Sequence, residues 1–195
     1  MREVEITRTT KETDIQLCFK LDGTSSVEIN TGIGFFDHML TLFAAHGLFD
    51  MRLHANGDIH VDFHHTVEDV GIVLGKAISQ ALGDMKGIKR YGRASVPMEE
   101  SLAHVFIDIC KRPYLVFNAV FPATKIGDFD LELIEEFFRA VTVNAGLTLH
   151  IQVAYGKNTH HMAEAAFKAF GKALDEASSI DPRLQHSVMS TKGTL

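Results

Sequence analysis

The sequence predicts a mixed α/β (α+β) protein built from two duplicated halves, each a small mixed sheet backed by two helices, with the helices sharing one core. Three observations predict it. Strand-like and helix-like stretches follow one another in the same order twice. The pattern His-His-x-x-Glu stands at His64-His65-Glu68 and again at His160-His161-Glu164, 96 residues later. Each copy leads into an apolar helical pattern that ends Gly-Lys-Ala, at Gly75-Lys76-Ala77 and Gly171-Lys172-Ala173, with the same offset. Unrelated amphipathic helices share Ala and Lys readily; six identical positions in one register, His, His and Glu among them, point to duplication.

In the first half, "EVEITRT", "DIQLCFKLD" and "SSVEIN" alternate or carry β-branched residues and read as strands, with "LDGTSS" as a turn. In "GFFDHMLTLFAAHG", Phe36, Met39, Leu40 and Phe43 have helical spacing and Gly47 is a stop signal. "MRLHANGDIHVD" is a strand running into a turn at Asn56-Gly57-Asp58, and the second helix covers about His64 to Gly83. The second half repeats the order. "SLAHVFIDI" and "YLVFNAVF" are strands, "DLELIEEFFRAVTVNAG" is a helix stopped at Gly146, "LTLHIQVAYG" is a strand, and "THHMAEAAFKAFGKALDEA" is the last helix. Gly47 to His64 spans 17 residues and Gly146 to His160 spans 14, so the extra length falls in the turn before the motif. The expected division is 1–91, 92–182 and a tail, 183–195, that lacks periodicity and contributes to the site. Neither half has enough layers to bury sheet and helix faces alone, so a shared core is expected.

The bulk numbers exclude several classes. With 195 residues and 46% hydrophobic residues the chain can bury a sizeable core. A net charge of −6 speaks against nucleic acid or an anionic membrane as partner. No stretch approaches the roughly 18 apolar residues of a membrane span, and "MREVEITRTT" carries charges where a signal peptide would be apolar. Cys18 and Cys110 lack C-x-x-C spacing and read as reduced packing thiols. A soluble cytoplasmic protein is expected.

The motif carries metal chemistry. Glu68 stands four residues after His64 and three after His65, so on a helix either imidazole can share a metal with the carboxylate. One copy supplies too few ligands to close a site. Two copies supply four imidazoles and two carboxylates, and this donor set without Cys favours Mn, Fe, Co, Ni or Zn over Ca or Mg. Asp37-His38 and Glu135-Glu136, in the equivalent first helices, offer further ligands, with His38 and Glu136 the candidates. His46, His54, His60, His104, His150 and His186 read as structural or solvated. A second constellation is basic: Lys89, Arg90 and Arg93 in "GIKRYGR", Lys111 and Arg112 in "CKRPY", and Ser190 and Lys192 in "MSTKG", all read as loops. Arginine forks, lysine charges and glycine-flanked N–H groups suit a phosphate. Neither Gly-Lys-Ala is a P-loop, because the upstream glycine is missing.

These residues carry a family resemblance. "FFDHML", "DFHHTVEDVGIVLG", "GIKRYGRASVPM", "NAGLTLHI", "NTHHMAEAAFKAF" and "STKG", in order over nearly the whole chain, resemble imidazoleglycerol-phosphate dehydratases of histidine biosynthesis. Two departures are visible: Cys110 and Lys111 stand where the pattern usually has small residues, and Glu136 stands where some members place His. The resemblance implies a single-function, manganese-dependent hydro-lyase with two Mn2+ per active site, assembled between subunits of a homo-oligomer, a 24-mer built from trimers. Carried over by motif, the metal ligands are His38, His64, His65, Glu68, Glu136, His160, His161 and Glu164. The substrate contacts are Glu12, Arg90, Arg112, Ser190 and Lys192. Glu12, placed at a strand end, together with Glu68 and Glu164, forms the implied catalytic set.

The implied reaction removes the hydroxyl beside an imidazole ring and a proton from the next carbon, giving imidazole acetol phosphate after ketonisation. A metal-bound imidazolate is the implied electron source. Two other classes account for parts of the pattern: a dinuclear metallohydrolase acting on a small phosphorylated substrate, and a non-enzymatic protein that metals merely assemble.

Overall fold

The computed structural model describes residues 2–184 and 187–194. The expected position of His186 lies outside the described residues. The first half runs β1 (Glu3–Thr9), β2 (Thr13–Lys20), β3 (Val27–Asn30), α1 (Gly34–His46), β4 (Asp50–Gly57), α2 (His64–Leu82). The second runs β5 (Tyr91–Met98), β6 (Ser101–Ile109), β7 (Tyr114–Asn118), a small hairpin of β8 (Lys125–Ile126) and β9 (Phe129–Asp130), α3 (Glu132–Ala145), β10 (Leu147–Tyr155), α4 (Thr159–Ser178).

Two four-stranded mixed sheets result, ordered β1-β2-β4-β3 and β5-β6-β10-β7. In each, one strand pair is parallel, β3 with β4 and β7 with β10, and the remaining pairs are antiparallel. The sheets therefore share one topology, as duplication predicts. Strands alternate because one face is covered: Ile15, Leu17 and Phe19 of β2 are buried, whereas Asp14 and Gln16 face solvent.

The helices fill the space between the sheets. α1 and α2 lie on the first sheet and α3 and α4 on the second, while α1 packs on α4 and α2 on α3. The shared helical core is thus present. Phenylalanines knit it across the halves: Phe43 of α1 stacks on Phe170 of α4 with centroids 5.0 Å apart, and Phe36 of α1 meets Phe137 of α3 at 5.3 Å. The repeated glycines have the same duty in both halves. A Cβ on Gly75 would stand 2.7 Å from the Val141 carbonyl oxygen of α3, and one on Gly171 would stand 2.3 Å from that of Phe43 in α1. Only glycine permits helices to approach this closely.

Two features differ from expectation. "YGRASVPM" is a strand, β5, rather than part of a loop, so Arg93 lies in a sheet. Gly92 and Ala94 on its inward face are small because α4 runs directly over them; a Cβ on Gly92 would stand 2.0 Å from the Ala173 carbonyl oxygen. Pro97 is tolerated because β5 is an edge strand. The β8–β9 hairpin was also unexpected; Gly127, at φ 57°, makes its tight turn. No helix among the described residues is long and apolar enough to cross a membrane.

Candidate metal and phosphate-binding site

Both His-His-x-x-Glu motifs open helices. α4 is capped by Asn158, whose side chain accepts from the N–H of His160 at 2.9 Å, and Asp62 accepts from the N–H of His64 at 2.8 Å at the start of α2. The motifs therefore present their side chains at helix N-termini.

At the second motif three candidates converge. Glu164 Oε1 lies 2.9 Å from His38 Nε2 and 3.1 Å from His160 Nε2, and the three donor atoms lie within 4.8 Å of one another. His38 arrives from α1 because α1 packs on α4. Glu164 Oε2 accepts from Lys168 Nζ at 2.6 Å. Burial pushes the Glu164 carboxyl up, but the Lys168 ammonium and His38 outweigh it and hold its pKa at about 2, so the carboxyl is ionised. Lys168 escaped sequence reasoning, although its position four residues after Glu164 on a helix was a readable signal. The other copy has Ile72 at that place.

His161 points elsewhere. Its Nδ1 lies 2.8 Å from Glu100 Oε2, with Glu99 alongside. At the first motif, His65 Nδ1 lies 3.0 Å from Asp58 Oδ2, and its Nε2 is 4.0 Å from Glu12 Oε1. The Asp58 and Glu100 hydrogen bonds raise the pKa of His65 and His161 respectively, and the bond to His161 holds the Glu100 carboxyl far below the usual range. Glu12 lies in the β1–β2 turn rather than in a strand. His64 Nε2 is 3.8 Å from Glu68 Oε2. Glu136, just past the first turn of α3, stands 3.4 Å from Arg139 Nε.

Among the described residues, the groups able to hold a cation are His38–His160–Glu164 and Glu99–Glu100–His161; the first motif and Glu136 join neither. One chain therefore does not bring the two motifs into a single cluster. Asp37 is occupied as a cap on Thr31, and Glu135 pairs with Arg139. His46 closes the last turn of α1, His104 bonds to Ser95, and His54, His60 and His150 are exposed.

Part of the basic constellation converges, without Lys89, Arg93 and Lys111. Arg90, Arg112, Ser190 and Lys192 line one concave surface together with Met189. Arg90 is buried and adopts φ 73°, directing its guanidinium inward. Nε and Nη2 fork onto Asp108 at 2.6 and 3.0 Å, and Nη1 donates to the Met189 carbonyl at 2.7 Å. Three of its five N–H groups are thus used, and two remain for a ligand. Arg112 is exposed, and its Nη2 lies 3.8 Å from the same Asp108. Asp108 thus stands between both arginines, a relation invisible in sequence because it sits in an ordinary alternating strand. Lys89 and Lys111 are exposed; Lys111 takes φ 55° beside Gly146.

Known proteins show the same frame. The family profile of imidazoleglycerol-phosphate dehydratase matches residues 31–174. The imidazoleglycerol-phosphate dehydratases of Geobacter metallireducens and Acetivibrio thermocellus are 57% and 58% identical over 194 residues, covering 100% of this chain and 99% of theirs. The crystal structure of imidazoleglycerol-phosphate dehydratase from Staphylococcus aureus superposes with a TM-score of 0.84 at 45% identity, covering 92% of this chain and 99% of that one. That of IGPD from Pyrococcus furiosus in complex with (S)-C348 gives 0.83 at 37% identity, covering 97% and 100%. The two-sheet frame with a His-His-x-x-Glu motif on each half defines a hydro-lyase. The chain belongs to the imidazoleglycerol-phosphate dehydratase family.

Proposed function

We propose that this protein dehydrates imidazole glycerol phosphate to imidazole acetol phosphate and water, using two Mn2+ per active site, in the cytoplasm and as a homo-oligomer. The observation that carries the proposal is the convergence of His38, His160 and Glu164 in a chain that also gathers Arg90, Arg112, Ser190 and Lys192 on one surface. The donor atoms fit a divalent ion of the manganese to zinc series: two imidazole nitrogens and an ionised carboxylate, with neither cysteine in the cluster. When bound, such ions acidify the substrate imidazole.

The protein's own groups supply the rest. His38, His160 and Glu164 form one ligand set, and His64, His65, Glu68, His161 and Glu136 are the further ligands. Arg112 and Lys192 neutralise the phosphate, while Arg90 offers it two N–H groups from a guanidinium fixed by Asp108. Ser190 adds a hydroxyl. The histidines open α4 and Arg90 sits beside its far end, so the phosphate held by one copy would orient the substrate carbons toward the histidines of another copy, and orientation lowers the barrier. Glu12, exposed and directed at the Nε2 side of His65, is the residue that moves a proton at the substrate carbon. Glu68 and Glu164 hold charge at the ring end.

Because one chain does not bring its two motifs into a single cluster, a second copy completes each ligand set, consistent with a 24-mer built from trimers. The test is direct. Purified protein with Mn2+ is given imidazole glycerol phosphate, and the product is followed by NMR. Formation of imidazole acetol phosphate supports the proposal; release of inorganic phosphate instead identifies a metallohydrolase, and an inert substrate identifies a non-enzymatic assembly.

A further inference from the structure

The outer histidines of the duplicated motif are both held from behind. His65 Nδ1 lies 3.0 Å from Asp58 Oδ2, and His161 Nδ1 lies 2.8 Å from Glu100 Oε2. An ionised carboxylate only accepts, so the neutral imidazole places its proton on Nδ1 and keeps the Nε2 lone pair free.

The two carboxylates come from different places in the repeat. Glu100 lies in the β5–β6 turn, one residue before the buried Ser101. Hairpin register pairs Thr9 with Asp14 in the first half and Pro97 with Leu102 in the second, which makes Glu12, one residue before the buried Thr13, the equivalent of Glu100. Yet Glu12 faces the opposite ring nitrogen, with Oε1 4.0 Å from His65 Nε2.

The reason lies in the loop before each motif. In the second half the connection is short, residues 156–158, and Glu100 Oε1 ties it to the β5–β6 turn by accepting from the N–H groups of Lys157 and Asn158 at 3.1 and 2.7 Å. In the first half the connection is longer, residues 58–63, and the corresponding tie is a backbone bond from the Asp58 N–H to the Glu12 carbonyl at 3.0 Å. The Asp58 side chain then takes the histidine. Neither task is left to the Glu12 carboxylate.

We infer that Asp58 and Glu100 are positioning residues that fix His65 and His161 with Nε2 presented to a metal ion, and that the longer β4–α2 connection, by supplying Asp58, releases Glu12 to face the reacting atoms. This rests on the metal assignment proposed above. Carboxylate partners of ligand histidines set tautomer and ring orientation, and their removal typically weakens metal binding roughly 10–100-fold.

The experiment uses assembled, metal-stripped protein titrated with Mn2+ in a calorimeter, with circular dichroism melting as the control for folding. Asp58→Ala and Glu100→Ala should raise the Kd for Mn2+ roughly 10–100-fold, and Asp58→Asn and Glu100→Gln, which retain an acceptor oxygen, should raise it less. Glu12→Gln should change it far less than either alanine variant while depressing kcat. Nitrogen-15 NMR of the metal-free protein should show the Nδ1–H tautomer at His65 and His161, lost in the alanine variants. Alanine variants that bind Mn2+ like the parent, or a Glu12→Gln loss as large as theirs, would overturn the inference. A parent protein that binds no Mn2+ would instead overturn the metal assignment itself, and the tautomers seen by NMR would still decide whether Asp58 and Glu100 orient the rings.

Discussion

Gly171 of α4 and Phe43 of α1 meet backbone to backbone: a Cβ on the glycine would stand 2.3 Å from the Phe43 carbonyl oxygen. Gly171→Ala must push the two helices apart and disturb the Phe43–Phe170 stack beside it. Overpacking of this kind costs about 1–3 kcal/mol. Melting should register the loss, whereas Gly34→Ala, where a Cβ would meet nothing within 4 Å, should leave the melting temperature close to the parent's. Equal effects at both positions would contradict this account of the repeated glycine.

His160→Ala removes one of the two imidazole nitrogens gathered around Glu164 Oε1, and His64→Ala removes the first imidazole of the other copy. On the proposal that both motifs complete sites of one kind, each should lose bound Mn2+ and turnover together. A variant of either that retains full Mn2+ and normal rate would break that equivalence. If ligand sets cross between copies, chelation should reduce the particle size in sedimentation.

Arg112 and Arg90 should separate binding from folding. Arg112 is exposed, so Arg112→Ala should keep the fold and bound metal while lowering kcat/KM, mainly through KM, by about one to two decades for one lost charge-assisted contact. Arg90 is buried, and Arg90→Ala strands both the Asp108 carboxylate and the Met189 carbonyl. It should also cost about 2–3 kcal/mol of stability. Removing "STKGTL" should impair catalysis far more than stability, since Ser190 and Lys192 line the proposed phosphate surface but are not in the core.

Asp50 sets an acid limit on stability. Its Oδ1 accepts from the N–H groups of Thr24 and Ser26 at 2.6 and 3.0 Å, and these bonds lower its pKa from 3.8 to about 2. A folded-state pKa below the unfolded value stabilises the protein above the unfolded value, and that contribution fades as pH falls through about 2. Asp50→Asn should therefore melt lower than the parent at neutral pH. The gap should close as pH falls from about 4 toward 2, and a constant gap across that range would remove Asp50 from the acid response.

Much of this was legible in the chain. Period located all four helices, and glycine stops ended three of them, because their buried faces repeat every three or four residues and a helix shows this locally. The duplicated His-His-x-x-Glu marked both helix N-termini for the same reason: the spacing of Glu164 from His160 is a property of one turn. The β5 strand was hidden, since Gly92 and Ala94 are small to admit α4, and small residues read as a loop until the helix above them is known.

What the sequence determined by itself was therefore the local part: the elements, the repeat, the donor types and the basic side chains. Tertiary structure alone decided which of these meet. It brought His38 from α1 to Glu164, placed Asp108 between Arg90 and Arg112, and set Glu12 and Glu100 on opposite nitrogens of equivalent histidines. Each of these pairings joins side chains from separate elements, so their geometry depends on how helices and strands pack and on one longer loop, and neither quantity is written in the spacing of any single segment.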